Sequence, residues 1–90
     1  MLIINDQINE KVIDNLVLGG AGFLGSNLID KLLTKGENVL CIDNFLTGKI
    51  QNINHLKDNK KFFFIKHDVI EQIKSKIPID KIWHLACPAS

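Results

Sequence analysis

The sequence predicts an α/β fold, a parallel sheet wound in both directions from its first strand, and three observations predict it. An apolar run at 12–18 leads directly into the turn Gly19-Gly20-Ala21-Gly22-Phe23-Leu24-Gly25. An amphipathic stretch, Phe23 to Lys35, follows that turn, and short apolar runs then alternate with polar connections as far as Ser90. Asp43 closes the second of those runs, roughly twenty residues beyond the glycines. Strands alternating with helices imply parallel pairing and right-handed crossovers.

Residues 1–11 carry Asp6 and Glu10 and lack the basic-then-apolar order of a secretory signal, so they are expected to be a short leader into the first strand. Val12 to Leu18 is that strand, nearly continuously apolar as suits a parallel strand covered on both faces. In the first helix, Phe23 to Lys35, the residues Gly25, Leu28, Ile29, Leu32 and Leu33 recur at helical spacing. They form one apolar stripe, with Gly25 on the face that packs closest to the sheet. Gly36 ends the helix, with Lys35 in its last turn.

Asn38 to Asp43 reads as the second strand, and Ile50, Ile53 and Leu56 suggest a short second helix. Phe62-Phe63-Phe64-Ile65 is a third strand, aromatic and β-branched, running towards His67-Asp68-Val69. Ile70 to Lys76 is expected to be a loop with a helical turn, stopped by Pro78. Lys81 to Ala86, with Ile82, Trp83 and Leu85, is the fourth strand. The expected spatial order is 3-2-1-4, the N-terminal half of a Rossmann-type doubly wound sheet. Residues 12–90 would then be a partial domain, incomplete at its C-terminus. The open edge carrying Ile82, Trp83 and Leu85 would favour aggregation or need a missing segment to cover it.

The glycine turn carries chemistry as well as shape. One glycine lets the backbone reverse, one lets it approach a pyrophosphate, and one lets the helix lie against its strand. The helix N-terminus then offers N–H groups and a positive dipole end to a diphosphate. At the end of the second strand the Asp43 carboxylate is placed to accept from ribose hydroxyls and to repel a 2′-phosphate. That favours NAD over NADP. The chain has no arginine, which removes the usual bidentate partner of a 2′-phosphate; Lys49 would be a weaker substitute. Asp68, ending the third strand, could accept from the adenine amino group while Val69 offers its backbone N–H.

Composition narrows the classes further. Ninety residues, 46% hydrophobic and 23% charged, describe one globular domain at most. A net charge of +1 with dispersed lysines gives no basic face for nucleic acid. The longest uncharged apolar stretch, Leu16 to Gly25, is about half of the ~20 residues that a membrane span needs. Cys41 and Cys87 read as buried, reduced thiols of a cytoplasmic protein, and the three histidines lack metal-ligand spacing. A P-loop fails because no Gly-Lys-Ser/Thr follows the glycines.

Taken together, Gly-Gly-Ala-Gly-Phe-Leu-Gly at 19–25, Asp-Asn-Phe-Leu-Thr-Gly-Lys at 43–49, His-Asp-Val at 67–69 and His-Leu-Ala-Cys-Pro-Ala-Ser at 84–90 resemble one family. It is the extended short-chain dehydrogenases acting on nucleotide sugars, the NAD-dependent epimerases and dehydratases, and within it the UDP-glucuronate decarboxylase branch. The resemblance runs from about Asn15 to Ser90. It implies that Gly19, Gly22, Phe23, Leu24 and Gly25 form the pyrophosphate turn. It places Asn44, Phe45, Thr47 and Gly48 with Asp43 around the adenosine half, and Asp68 and Val69 beside the adenine. Leu85 and Cys87 would approach NAD from the fourth strand, while Ile73 and Lys74 match positions near the sugar nucleotide. Leu18 stands where the family usually has threonine, and Asn27 where a histidine is common.

The resemblance also implies an absence. Family chemistry uses a Tyr-x-x-x-Lys pair, tyrosinate taking a proton from a sugar hydroxyl as hydride leaves C4 for NAD. In the decarboxylase the resulting 4-keto sugar is a β-keto acid that loses its C6 carboxylate as CO2 before the hydride returns to give UDP-xylose. This chain has no tyrosine. It is expected to be the NAD-binding N-terminal part of such a lyase, inactive alone, with UDP-sugar and a homodimer belonging to the complete protein. Another nucleotide-sugar epimerase or dehydratase, or a non-catalytic dinucleotide-binding module, are the alternatives.

Overall fold

The computed structural model describes residues 2–4, 8, 10–19, 23–43, 54–67 and 73–85. In chain order these form β1 (Leu2–Ile4), β2 (Ile13–Leu18), α1 (Phe23–Thr34), β3 (Val39–Asp43), a 3-10 turn (Asn54–Leu56), β4 (Phe62–Lys66), β5 (Ile73–Ser75) and β6 (Ile79–His84). One sheet has four strands in the order β4-β3-β2-β6, and the second pairs β1 with β5. Every pairing is parallel. The strands read from sequence as third, second, first and fourth thus lie side by side in that order.

Alternation along the strands sends neighbouring residues to opposite faces. On one face Val17, Val39, Cys41 and Phe62 form a cluster with Ile29 and Leu32 of α1 and Leu56 of the 3-10 turn. Burying Ile29 and Leu32 almost completely contributes about 1.5–3 kcal/mol for each side chain. On the other face Leu16, Leu18, Leu40 and Ile42 cluster with Ile4, Ile8 and Ile13, and Phe63, Ile65, Ile73, Ile77 and Ile79 pack against them. The two central strands, β2 and β3, are covered on both sides, as suits largely apolar parallel strands, whereas β6 is mostly exposed.

Helix α1 ends where the sequence places its stop. Gly36 is left-handed at φ 85°, its N–H donates to the Leu33 carbonyl at 3.0 Å, and the Glu37 N–H donates to Leu32 at 3.2 Å. These two bonds are the Schellman closure. The Lys61 ammonium adds a third by donating to the Gly36 carbonyl at 2.8 Å.

Four expectations are corrected. The N-terminal leader contains a strand, because Leu2–Ile4 finds a parallel partner in Ile73–Ser75 and buries Ile4 completely. The expected loop and helical turn at 70–76 likewise becomes strand β5 from residue 73. Alternating apolar and polar residues at Ile73, Lys74 and Ser75 suit a half-buried strand once a partner is present. The fourth strand runs over Ile79–His84, two residues earlier than expected. The suggested second helix is a single 3-10 turn among the described residues; Ile50 and Ile53 lie outside them.

A polar network occupies the amino edge of the sheet. Asn15, fully buried on the central strand, donates its amide to Glu37 Oε1 at 2.9 Å and to the Asn38 carbonyl at 3.2 Å. Its Oδ1 accepts from the Trp83 indole N–H at 2.9 Å. Beside it Asp14 and Asn38 bond reciprocally: the Asp14 N–H donates to Asn38 Oδ1 at 2.7 Å, and the Asn38 N–H donates to Asp14 Oδ2 at 2.9 Å. Trp83 is consequently half-buried rather than part of an open apolar edge, whereas Ile82 is 61% exposed.

The hydrogen bond from Asn15 holds the Glu37 carboxyl below its ordinary value of 4.5, with Lys81 and Lys35 acting in the same sense against partial desolvation. A lowered folded value means that the ionised carboxylate stabilises the fold above pH 4.5 and that this contribution is lost as pH falls through the lower, folded value. Melting temperatures of the wild-type chain and Glu37→Gln should therefore differ near neutral pH and converge in acid. A gap that stays constant from about pH 7 to pH 3 would assign no linkage to this group.

Candidate dinucleotide site

The described residues of the predicted site converge on the carboxyl edge of the four-stranded sheet. Three backbone bonds lace the strand ends there. The Gly19 N–H donates to the Ile42 carbonyl at 2.8 Å, the Leu85 N–H to Leu18 at 2.9 Å, and the His67 N–H to Asp43 at 3.2 Å. The ends of β2, β3, β4 and β6 are thereby held level.

Chain direction reverses at β2. From β2 the chain passes through α1 on one face to reach β3, whereas β6 is reached by way of β5, Ile77 and Ile79 on the opposite face. Ligands of open α/β sheets bind in the crevice outside the carboxyl ends of the strands at such a switch point, which here is the end of β2 and β6.

Gly19 sits at that point with φ 84°, a left-handed backbone that a residue with Cβ adopts only under strain. Helix α1 begins four residues further on, at Phe23. No acidic residue stands in the first turn of α1, so its N–H groups and dipole end face an incoming anion without a competing carboxylate. Gly25 is buried, consistent with the close approach expected on the sheet-facing side of α1. Leu24, 78% exposed, and Leu85, 39% exposed, present apolar surface at the same edge.

Asp43 is the last residue of β3, one strand from Gly19, and is only 6% exposed. It lies level with Lys66 across the β3–β4 ladder. His84 lies level with Leu18 and is exposed. Sequence reasoning does not single out Lys66 and His84 for the site; the only signal available is their place at strand ends. Cys41, by contrast, lies buried in mid-strand as a thiol. Of the other predicted site residues, Gly22, Asn44, Phe45, Thr47, Gly48, Asp68, Val69 and Cys87 lie outside the described residues, as does the side chain of Phe23. Ile73 and Lys74 belong to β5.

The sequence pattern of the family described as GDP-mannose 4,6 dehydratase matches residues 16–90. The chain is 48% identical over 83 residues to UDP-glucuronic acid decarboxylase 4 of Arabidopsis thaliana, a match covering 92% of this chain and 18% of that protein. To UDP-glucuronic acid decarboxylase 1 of Danio rerio it is 48% identical over 75 residues, covering 83% and 18%. The chain thus spans about a fifth of the length of these curated relatives. Among solved structures it is similar to the Bordetella bronchiseptica enzyme WbmG in complex with NAD and UDP. That likeness has a TM-score of 0.58 at 40% identity and covers 67% of this chain and 18% of the other. UDP-glucose 4-epimerase of Thermotoga maritima, solved with UDP-glucose, gives 0.53 at 38% identity, covering 62% and 16%. Because the matched residues carry the glycine turn, α1 and most of the four-stranded sheet, the chain belongs to the GDP-mannose 4,6 dehydratase family, in the nucleotide-sugar group of extended short-chain dehydrogenases.

Proposed function

We propose that this chain is the NAD-binding N-terminal portion of a UDP-glucuronate decarboxylase-like enzyme, which converts UDP-glucuronate to UDP-xylose and CO2. The observation that carries the reading is the pairing of two features on adjacent strands. A left-handed Gly19 turn feeds α1 at the end of β2, and a nearly buried carboxylate, Asp43, ends β3 beside it. The first is a cradle for a diphosphate that a Cβ would strain, and the second is an acceptor for ribose hydroxyls. The residues present therefore fit a dinucleotide. Similarity at 48% to the decarboxylases against 38–40% to WbmG and the epimerase supports the decarboxylase branch.

When bound, NAD supplies a hydride acceptor that later returns the hydride. This chain's own part is to bind and orient. Backbone N–H groups at the start of α1 hold the diphosphate, and Asp43 accepts from the ribose while disfavouring a 2′-phosphate. Leu24 and Leu85 keep water from the crevice. Residues 12–90 form the partial NAD-binding domain, with Gly22, Asn44, Phe45, Thr47, Gly48, Asp68, Val69 and Cys87 assigned to the same cofactor. With no tyrosine among the ninety residues, proton transfer to and from the sugar belongs to a Tyr-x-x-x-Lys pair elsewhere in the complete enzyme.

Calorimetric titration tests the binding step. The chain should bind NAD saturably and NADP more weakly, and Asp43→Ala should weaken NAD by about tenfold to a hundredfold, the loss of one or two charged hydrogen bonds. Unchanged NAD affinity in Asp43→Ala would overturn the assignment of the ribose. The reaction is tested on the complete protein supplied with UDP-glucuronate. Release of CO2 with UDP-xylose is expected, and a C4 epimer without CO2 would favour the epimerase reading instead.

A further inference from the structure

The family pattern begins at Leu16, yet strand β1 lies ahead of it and is built into the core. Ile4 is completely buried and Ile8 is 5% exposed. Both share a cluster with Leu16, Leu18, Leu40 and Ile42, and Phe63 and Ile65 of β4 pack against it. Strand β1 runs parallel to β5 in the register Leu2 to Ile73, Ile3 to Lys74 and Ile4 to Ser75. The ladder continues one residue further, where the Lys76 N–H donates to the Ile4 carbonyl at 2.8 Å.

The chain must cross from β4 at one edge of the sheet to β6 at the other. The described part of that crossover ahead of β6 is β5 with the bend at Lys76 and Ile77. Strand β5 has three residues and a single ladder partner, β1. A two-stranded ribbon is marginal without a packed face, so β5 holds its place through β1 and through the apolar surface the two bury together. Ser75 closes the bend locally, its hydroxyl donating to the Ile77 carbonyl at 2.6 Å. The Pro78 carbonyl, accepting from the Ile13 N–H at 2.8 Å, ties the crossover to β2 where β6 begins; ahead of that bond, the ladder partner of β5 among the described residues is β1, and Ile73 and Ile77 pack against the cluster to which Ile4 and Ile8 belong.

We propose that β1 is a positioning strap, a feature of this chain lying ahead of the family pattern, which clamps the β4-to-β6 crossover on the second face and so sets the carboxyl ends of β4 and β6. The consequence for ligand binding rests on the cofactor reading above, because those ends flank the crevice at Leu18 and Asp43. The strap acts by packing beneath the strand ends and touches no ligand. Linkage then requires reciprocity: if the strap tightens cofactor binding, the cofactor tightens the strap by the same factor.

Amide hydrogen exchange on the whole chain, read residue by residue, tests this. In Ile4→Ala the Lys76 and His67 amides should exchange about tenfold faster or more, while the Gly36 and Glu37 amides that close α1 change little. Ile4→Val should recover most of the protection. Uniform acceleration at all amides, or none at Lys76 and His67, would overturn the strap. Should Ile4→Ala fail to fold, the unmodified chain decides: added NAD must slow exchange at Lys76, and NAD that binds without doing so overturns the proposal. Local loosening in Ile4→Val or Ile4→Ala in a chain that binds no NAD would uphold the strap and sink the cofactor reading. Binding with uniform loosening would do the reverse.

Discussion

Asn15→Leu should destabilise this chain by about 2–4 kcal/mol although leucine nearly matches asparagine in size and the site is fully buried. The naive expectation runs the other way, since a leucine on this core strand adds apolar surface to the interior. Three partners decide the sign. Leucine leaves the Trp83 indole N–H, the Asn38 carbonyl and one Glu37 oxygen without the bonds of 2.9, 3.2 and 2.9 Å that Asn15 makes. A buried donor or acceptor stranded in this way costs about 1–3 kcal/mol. Only the Glu37 carboxylate, which Lys81 also approaches at 3.5 Å, can turn to water cheaply. The gain from the added methyl groups, about 0.8 kcal/mol per buried carbon, does not offset the two that cannot.

Urea unfolding followed by the fluorescence of the single tryptophan measures this directly, because Trp83 is itself in the network. Domains of this kind are stable by about 5–15 kcal/mol, and small ones lie at the low end, so the loss should move the midpoint severely. The double variant Asn15→Leu with Trp83→Phe should cost less than the sum of the singles, because the indole N–H that leucine strands is then gone. A neutral or stabilising Asn15→Leu would show that water reaches the amino edge freely.

The contrast between Asn15 and Asp43 shows what the sequence discloses about this fold. Asp43 is legible because it ends an apolar run at a set distance from a glycine turn, and period and spacing are properties of the chain itself. Asn15 sits inside an apolar run, where pattern reading treats it as an interruption to tolerate. Its meaning depends on Trp83, brought level with Val17 across a parallel ladder, and on Glu37 and Asn38, which precede the neighbouring strand. None of those partners is close in sequence. The same holds for β1. Leu2-Ile3-Ile4 is too short to announce a strand, and its partner β5 is no longer; each becomes a strand only because the other exists. Helix α1 needs no such help: its stripe, its terminal glycine and its starting turn agree locally, and its observed span, Phe23–Thr34, falls within one residue of the pattern.

Gly19 and Gly36 offer a sharper experiment, because the two glycines share a backbone conformation and differ in their place in the fold, one following β2 and the other closing α1. Their φ values are 84° and 85°, so a side chain at either should cost about 1–2 kcal/mol of stability for the left-handed region alone. At Gly36 the space where a Cβ would stand is open, with nothing within 4 Å, so Gly36→Ala should cost only that strain and Gly36→Asn less, asparagine being tolerant of the conformation. Neither should alter NAD affinity, since Gly36 ends α1 on the side away from the crevice. Gly19→Val combines the same backbone with a β-branched side chain, a genuine outlier in that region, at the glycine that the proposed function places in the diphosphate turn. On the proposed cofactor reading, relaxing φ there would redirect the residues entering the helix and swing its N–H groups off the diphosphate. NAD affinity should fall at least about a hundredfold, the equivalent of roughly 2.7 kcal/mol, while the melting temperature falls no further than in Gly36→Val. Calorimetry and thermal unfolding on these variants separate the two effects. Equal loss of stability with unequal loss of affinity places the dinucleotide at Gly19; equal affinity in Gly19→Val and Gly36→Val would remove the diphosphate from this turn and leave the glycine there as an ordinary device for turning the chain.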